Sequence, residues 1–259
     1  MATPDFTNSQ RSIADRNAER AAEEGGQFTT GDWEAVDYWY NQHLSKRNPA
    51  AQIANPSALA LITFAITTGL LQGATTEWVP ASVTHIASTT MFCVGGIVQL
   101  LAGMYEFERN NMFAATALTS YGGFWMSYGI YMILVNGDVI PASGPEGFAM
   151  AFTLAGLFNF GYMVCSIGLN VALILLFLFL ALFNFLAAAG QFVPNCLKAA
   201  GYCGELTAAI GLYIAFAELL NETWFRGRIV ISLGAMTWPQ KLYDRKMSEE
   251  REKSQYRRV

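Results

Sequence analysis

Residues 55–69 read NPSALALITFAITTG, and after Asn55 no charged side chain follows until Glu77. Asn55 is a good N-cap, and Pro56 suits the first helical position, where its missing N–H costs nothing. The stretch therefore predicts a helix that starts sharply and then runs through an apolar length suited to a bilayer, about 20 residues. Such a start also presents unpaired N–H groups and a partial positive charge, which favour an anion. On spacing alone, a cap that only starts a helix explains the stretch as well.

The same pattern recurs down the chain. Apolar units fall near 57–73, 84–105, 113–135, 147–166, 170–190 and 200–220. They are separated by TTEWVPAS, EFERNN, NGDVIPASGPEG, SIGLN and QFVPNC, which carry turn chemistry. Alternating β-barrel patterning is absent. The composition agrees, because 53% hydrophobic and 14% charged residues in a chain of 259 leave too few charges to clothe a soluble globule. The expected fold class is an all-α polytopic membrane protein with six transmembrane helices.

Charges crowd into residues 1–54 and 221–259, so the net charge of -4 describes the tails and not a surface that would attract nucleic acid. The sixteen Lys and Arg set the orientation, since cytoplasmic flanks retain positive charge. With both termini inside, only Lys198 is left outside, and N-in, C-in follows. The expected organisation is a polar cytoplasmic tail at 1–54, a six-helix transmembrane domain at 55–220 and a charged cytoplasmic tail at 221–259. Within the first tail, GDWEAVDYWYNQHL clusters aromatics that favour the headgroup layer, which points to an interfacial helix near 31–44 or else to a partner-binding segment. Residues 1–30 read as disordered. The first fifty residues hold Glu23 and Glu24 and no apolar core, so no secretory signal peptide is expected.

Cys93, Cys165, Cys196 and Cys203 lack CxxC spacing and read as small core residues rather than metal ligands or disulfides. No Gly-rich phosphate loop, HExxH or GxSxG occurs, so neither an enzyme nor a cofactor nor a metal is expected. Inside the predicted spans there is no Lys or Arg. Neutral donors are then candidates for the wall of a polar path: Thr67, Thr68, Thr119 and Ser120, then Ser127, Asn159 and Asn170, with Tyr121 among them. Each serves equally as a stitch between helices. Glu106, Glu205 and Glu218 lie at membrane depth, where ionisable groups are suspects for proton-linked function. The glycines of the spans let backbones approach, and FLFLALFNF reads as a face toward lipid or a neighbouring protomer.

Two blocks and a shorter match resemble a known family. NPSALAL, from Asn55 and Pro56 through Leu59 to Leu61, is similar to the NPAPLGL signature of the acetate uptake transporter family, which includes succinate–acetate permeases and fungal acetate and ammonia-export related membrane proteins. AGMYEFERNNMFAATALTSYGGFWMSYG, residues 102–129, resembles that family's AGxxEFxxGNTFGATAFxSYGxFW block, and AELLNE resembles its GEVLNE. The chain departs from the signature at Ala58 and Ala60, where the family has a second proline and a glycine, and from GNTFGAT at Asn110 to Thr116, NNMFAAT. The departures leave the exact substrate preference open.

The resemblance implies a six-helix protomer in a hexameric ring, each protomer with its own path for small carboxylates such as acetate and succinate, channel-like or proton-coupled. It also implies a constriction, which carries over onto Phe64, Tyr121 and Leu180. At about 1.5 Å per residue each of the three falls near the middle of its own predicted span. The alternatives are an ammonia or ammonium conduit and a non-transporting membrane sensor or scaffold. The expected location is a multi-pass membrane protein, in the plasma membrane ahead of an organellar one, whose partners are the lipid, the substrate and copies of itself.

Overall fold

The computed structural model describes residues 53–225 and 228–235. The 31–44 segment therefore lies outside the described residues. Six long helical units follow one another: α1 Ser57–Thr75, α2 Val83–Glu108, α3 Met112–Asn136, α4 Pro145–Ser166, α5 Val171–Gly190 and α6 Pro194–Thr223. Successive units run in opposite directions, so α1 begins, α2 ends, α3 begins and α6 ends at one end of the bundle, called here the near end.

Five of the six are long and apolar enough to cross a membrane: α1, α2, α4, α5 and α6. The sixth expected span, α3, is a 25-residue helix and so amply long, but its serines, threonines, tyrosines and glycines make it less apolar than the others. Helix α6 begins at Pro194, six residues before the expected start, because the proline of QFVPNC opens the helix and does not end a turn. Lys198 thus lies inside the helix, contrary to the expectation that no cation does. It is exposed near the far end, where Nζ pairs with Glu77 Oε2 at 2.7 Å.

Helices α2 and α3 touch through glycines. A methyl group on Gly103 would lie 2.6 Å from Thr119 N, and one on Gly122 would lie 2.6 Å from Leu100 N. Backbone meets backbone here with no side chain between. Residues Met91–Val98 of α2 are wound as a π-helix, and its Gly95 presses on Thr67 of α1.

The turn between α2 and α3 requires Asn110 at φ 57, a left-handed conformation that asparagine tolerates better than any other residue except glycine. The residue there in the family block is glycine, so this departure keeps the turn. Asn111 then caps α3 by accepting from Ala114 N at 3.3 Å. Ala60 and Ala114, two further departures, share a small apolar cluster with Ala102 and Leu118.

Beyond α6, residues 228–235 return to the near end. Leu233 O and Gly234 O accept from Ala172 N and Val171 N at 3.1 and 2.8 Å, giving partners to the first free N–H groups of α5. Asn221 anchors the return by accepting from Val230 N and Ile231 N, each at 2.9 Å. The cysteines are not core residues as a group: Cys93 and Cys165 are exposed, and all four are free.

Candidate functional site

Two cavities lie end to end within the bundle. The far cavity, about 370 Å³, is walled by Thr68 and Gln72 of α1, Trp125 of α3, Asn159 of α4 and Asn184 of α5. The near cavity, about 240 Å³, is walled by Ser57 and Leu61 of α1, Gln99 of α2, Asn111 at the start of α3, Phe177 of α5 and Glu218 of α6. Phe64 and Tyr121 belong to both walls. Their rings meet edge to face with centroids 5.6 Å apart, so this pair is the partition between the cavities. Phe177 stacks on Tyr121 from the near side, at 6.5 Å and 26°, and Leu180 walls the far side. The three residues of the implied constriction are therefore neighbours around one partition.

The Tyr121 hydroxyl donates to Asn159 Oδ1. That bond ties α3 to α4 at the partition and gives the ring a fixed tilt. Elsewhere the cavity walls keep polar atoms in reserve: Thr68 Oγ1, Gln72 Oε1 and Trp125 Nε1 on the far side and Gln99 Oε1 on the near side are buried and have no hydrogen-bond partner among the described residues. Left unpartnered each would cost about 1–3 kcal/mol, so these atoms are suited to a solute or water in the cavities. No lysine or arginine lines either cavity among the described residues.

At the near end a polar network surrounds the start of α1. Glu106 is fully buried and accepts from Ser57 Oγ, from Asn111 Nδ2 at 2.9 Å and from Arg109 Nη1 at 3.3 Å. Arg109 Nη1 also donates to Asn55 Oδ1 at 2.7 Å, while Asn55 Nδ2 donates to Glu218 Oε2 at 3.1 Å. Asn55 Oδ1 also accepts from Ser57 N, the first N–H of α1, at 3.1 Å across Pro56 at the helix boundary, so the local capping bond that the spacing suggests is present. Its amide in addition joins the beginning of α1 to the ends of α2 and α6, a long-range role that local sequence cannot reveal.

Several expected lining residues stand elsewhere. Thr67 is buried against Gly95 at the α1–α2 contact, Thr119 bonds back to Ala115 O, and the exposed Ser127 bonds back to Gly123 O. None of these three lines a cavity; the Thr119 and Ser127 hydroxyls are taken up in their own helix, and Thr67 Oγ1 is buried at the α1–α2 contact with no hydrogen-bond partner among the described residues. Ser120, Thr68 and Asn159 do line the far cavity. Asn170 edges the near one, but its side chain also caps α5 by accepting from Leu173 N at 2.9 Å. Leu61 faces the near cavity, whereas Leu59 is exposed. Glu205 lines neither cavity and sits beside Gly69 and Gly73 of α1. The FLFLALFNF segment is not simply a lipid face, because Phe177, Leu180, Ala181 and Asn184 of it are buried, as is Leu176 just before it.

Among the wall residues missed by the sequence reading are Gln72, Gln99, Trp125 and Asn184. Three of them are lone amides within otherwise apolar runs, LLQGA, IVQLL and LFNFL. An uncharged amide in hydrocarbon needs a partner or a wet cavity, and that signal was present.

A family model described as the GPR1/FUN34/yaaH family matches residues 40–236. Acetate permease A of Emericella nidulans is 33% identical over 249 residues, covering 88% of this chain and 78% of that protein. The succinate-acetate/proton symporter SatP of Escherichia coli is 30% identical over 186 residues, covering 71% of this chain and 96% of that protein. The ammonia transport outward protein 2 of Saccharomyces cerevisiae is 34% identical over 181 residues, 67% of this chain and 64% of that protein. Among solved structures, that of the bacterial acetate channel SatP superposes with a TM-score of 0.65 at 29% identity, covering 70% of this chain and 99% of that one.

Proposed function

We infer the function from one premise: this chain belongs to the GPR1/FUN34/yaaH family. It is an integral, multi-pass membrane protein that transports acetate and related short-chain carboxylates. Relatives carry the names of transporters and a channel, and this chain is read as a transporter and not an enzyme. The observation that carries the reading is the pair of cavities ending on the same two rings, with neutral amides, hydroxyls and an indole N–H along their walls. Neutral donors hold a carboxylate loosely enough to release it, whereas a buried cation would retain it.

In this reading α3 is the sixth span, both termini are cytoplasmic and the near end faces the cytoplasm. Uptake then runs from the far cavity past Phe64 and Tyr121 into the near one. Saturable flux of labelled acetate into liposomes holding only this protein, above that of protein-free vesicles, is the test. No such flux would leave the sensor or scaffold reading. Competition by ammonium would favour the conduit reading, which the resemblance to an ammonia transport protein keeps in view.

Among the described residues Tyr121 offers the one hydroxyl at the partition. Tyr121→Phe keeps the ring and removes the donor, so acetate uptake should show a half-saturating concentration raised about tenfold. That is the low end for one hydrogen bond to a charged group, about 1.5 kcal/mol, because substrate must take the hydroxyl from Asn159. The maximal rate should change little. Initial rates over a range of acetate concentrations check both.

The assembly in this reading is a closed ring of six. Helix α4, the least buried of the five apolar spans, has a broad free face on which a neighbour can sit. Native mass spectrometry in mild detergent should show a hexamer, and only monomers or dimers would remove the ring.

A further inference from the structure

Glu218 is the one acidic side chain that lines either cavity among the described residues. Among the described residues the charged groups around it are few. Arg109 and Glu106, from the end of α2, form an ion pair at 3.3 Å, and Glu106 is enclosed by Ser57, Asn111 and Arg109. Helix α1 and the start of α5 present only uncharged groups to the near cavity, including Asn55 beside it, Leu61 and Asn170. On α6 itself, Glu222 lies one turn farther on and is exposed. One positive charge, Arg109, thus answers one negative charge, Glu106, and Glu218 remains as an excess negative charge on the wall. Asn55 Nδ2 stabilises it with a neutral donor at 3.1 Å.

A carboxylate anion entering this cavity meets like charge in a narrow space partly withdrawn from water. Two carboxylates so placed repel strongly unless one proton lies between them. Proton symport is what the name of the Escherichia coli relative states of that protein; we propose that in this chain Glu218 is the residue that enforces such coupling, by excluding the bare anion from the near cavity, an inference that rests on the carboxylate-transport reading above. Substrate occupies the cavity as one half of an acid–carboxylate pair, with one proton shared between its oxygen and a Glu218 oxygen. In uptake the proton arrives with the acid. As the acid reaches Glu218 its O–H bond breaks and a Glu218 O–H bond forms; the proton then passes to water at the near end as the carboxylate leaves and Glu218 returns to Asn55. Export is the reverse. Each carboxylate crosses with one proton and the net charge moved is zero.

Proteoliposomes distinguish this from a passive anion path. Acetate accumulation is measured under a pH gradient without membrane potential, and under a membrane potential at equal pH, with protein-free vesicles subtracted. The wild type should accumulate acetate under the first condition and be indifferent to the second. Glu218→Gln keeps an acceptor for Asn55 but cannot carry charge or proton, so its flux should become potential-driven, several-fold above wild type, and its pH-driven accumulation should fall. Glu218→Asp should restore the wild-type pattern, and Glu205→Gln, off both cavities, should keep it. If the glutamine variant does not insert, Glu218→Ala is measured in its place. Glu218→Gln or Glu218→Ala that still accumulates under the pH gradient and ignores potential overturns the coupling while leaving the carboxylate reading intact. A wild type already driven by potential does the same. A wild type with no flux under either condition removes the carboxylate reading, and the coupling with it.

Discussion

Gly122→Leu is expected to abolish folded protein, while Gly123→Leu at the adjacent position leaves it folded. Any Cβ at 122 lies 2.6 Å from Leu100 N and 2.8 Å from Leu100 Cα, and these backbone atoms can yield only if α2 moves as a whole. Gly103 and Gly129 hold the same seam, so a shift at one point is resisted at two others. The cost should exceed about 3 kcal/mol, the upper end of ordinary overpacking. At 123 nothing lies within 4 Å of an added Cβ, and leaving glycine there should gain up to about 1 kcal/mol in helix propensity. Size-exclusion profiles of the two variants in detergent, with thermal unfolding of whatever is monodisperse, measure the contrast. A well-folded Gly122→Leu would mean that α2 and α3 are not in backbone contact.

Leu180→Ala should raise succinate uptake relative to acetate about tenfold, the low end of what one apolar wall contributes to size discrimination. Leu180 is 4% exposed, stands on the far wall and shares the main apolar cluster with Phe64 and Phe177. Truncating it widens the approach to the ring pair without touching the Tyr121 hydroxyl, so steric selection should relax while acetate affinity holds. The control is a leucine on the outer face of α5. Leu176 is unsuitable, being buried and part of the near wall, whereas Leu182 is 41% exposed. Paired uptake of the two acids at matched protein density decides it. An unchanged ratio from folded Leu180→Ala would detach Leu180 from the aperture.

The helices were legible in the sequence because each apolar run is interrupted by residues that stop it. Their ends were less so, as Pro194 shows: a proline marks a turn or a helix start with the same letters. Phe64, Tyr121 and Leu180 came from the resemblance and not from pattern, and mid-helix depth alone does not say which face each occupies. The Asn55 bridge to Arg109 and Glu218 joins residues 54 and 163 positions apart, a fact of tertiary packing beyond any local cap rule. Thr67 and Thr68 illustrate the remaining limit. They are adjacent, alike and equally deep, yet one meets Gly95 and the other a cavity, because neighbours on a helix point about 100° apart.

The π-wound segment of α2 sets the phase of that helix. The groups on α2 that meet α3 are at Ser88 and Phe92 against Gly129, Gly96 against Met126, Leu100 against Gly122 and Gly103 against Thr119. On α3 these contacts advance by three or four residues, as an ordinary helix requires. On α2 they advance by four, four, four and three, and in an unbroken α-helix each step of four overshoots a full turn by about 40°. Three such steps would turn the contact stripe by about 120°, of which the last step, of three, returns only about 60°. Wider winding over Met91–Val98 takes up the surplus, so both halves of α2 keep the same azimuth. The orientation of Gln99, directly after the wide turns, and of Glu106, about two turns beyond them, is thereby set by that winding, and a helical wheel drawn at 3.6 residues across the whole of α2 would misplace them.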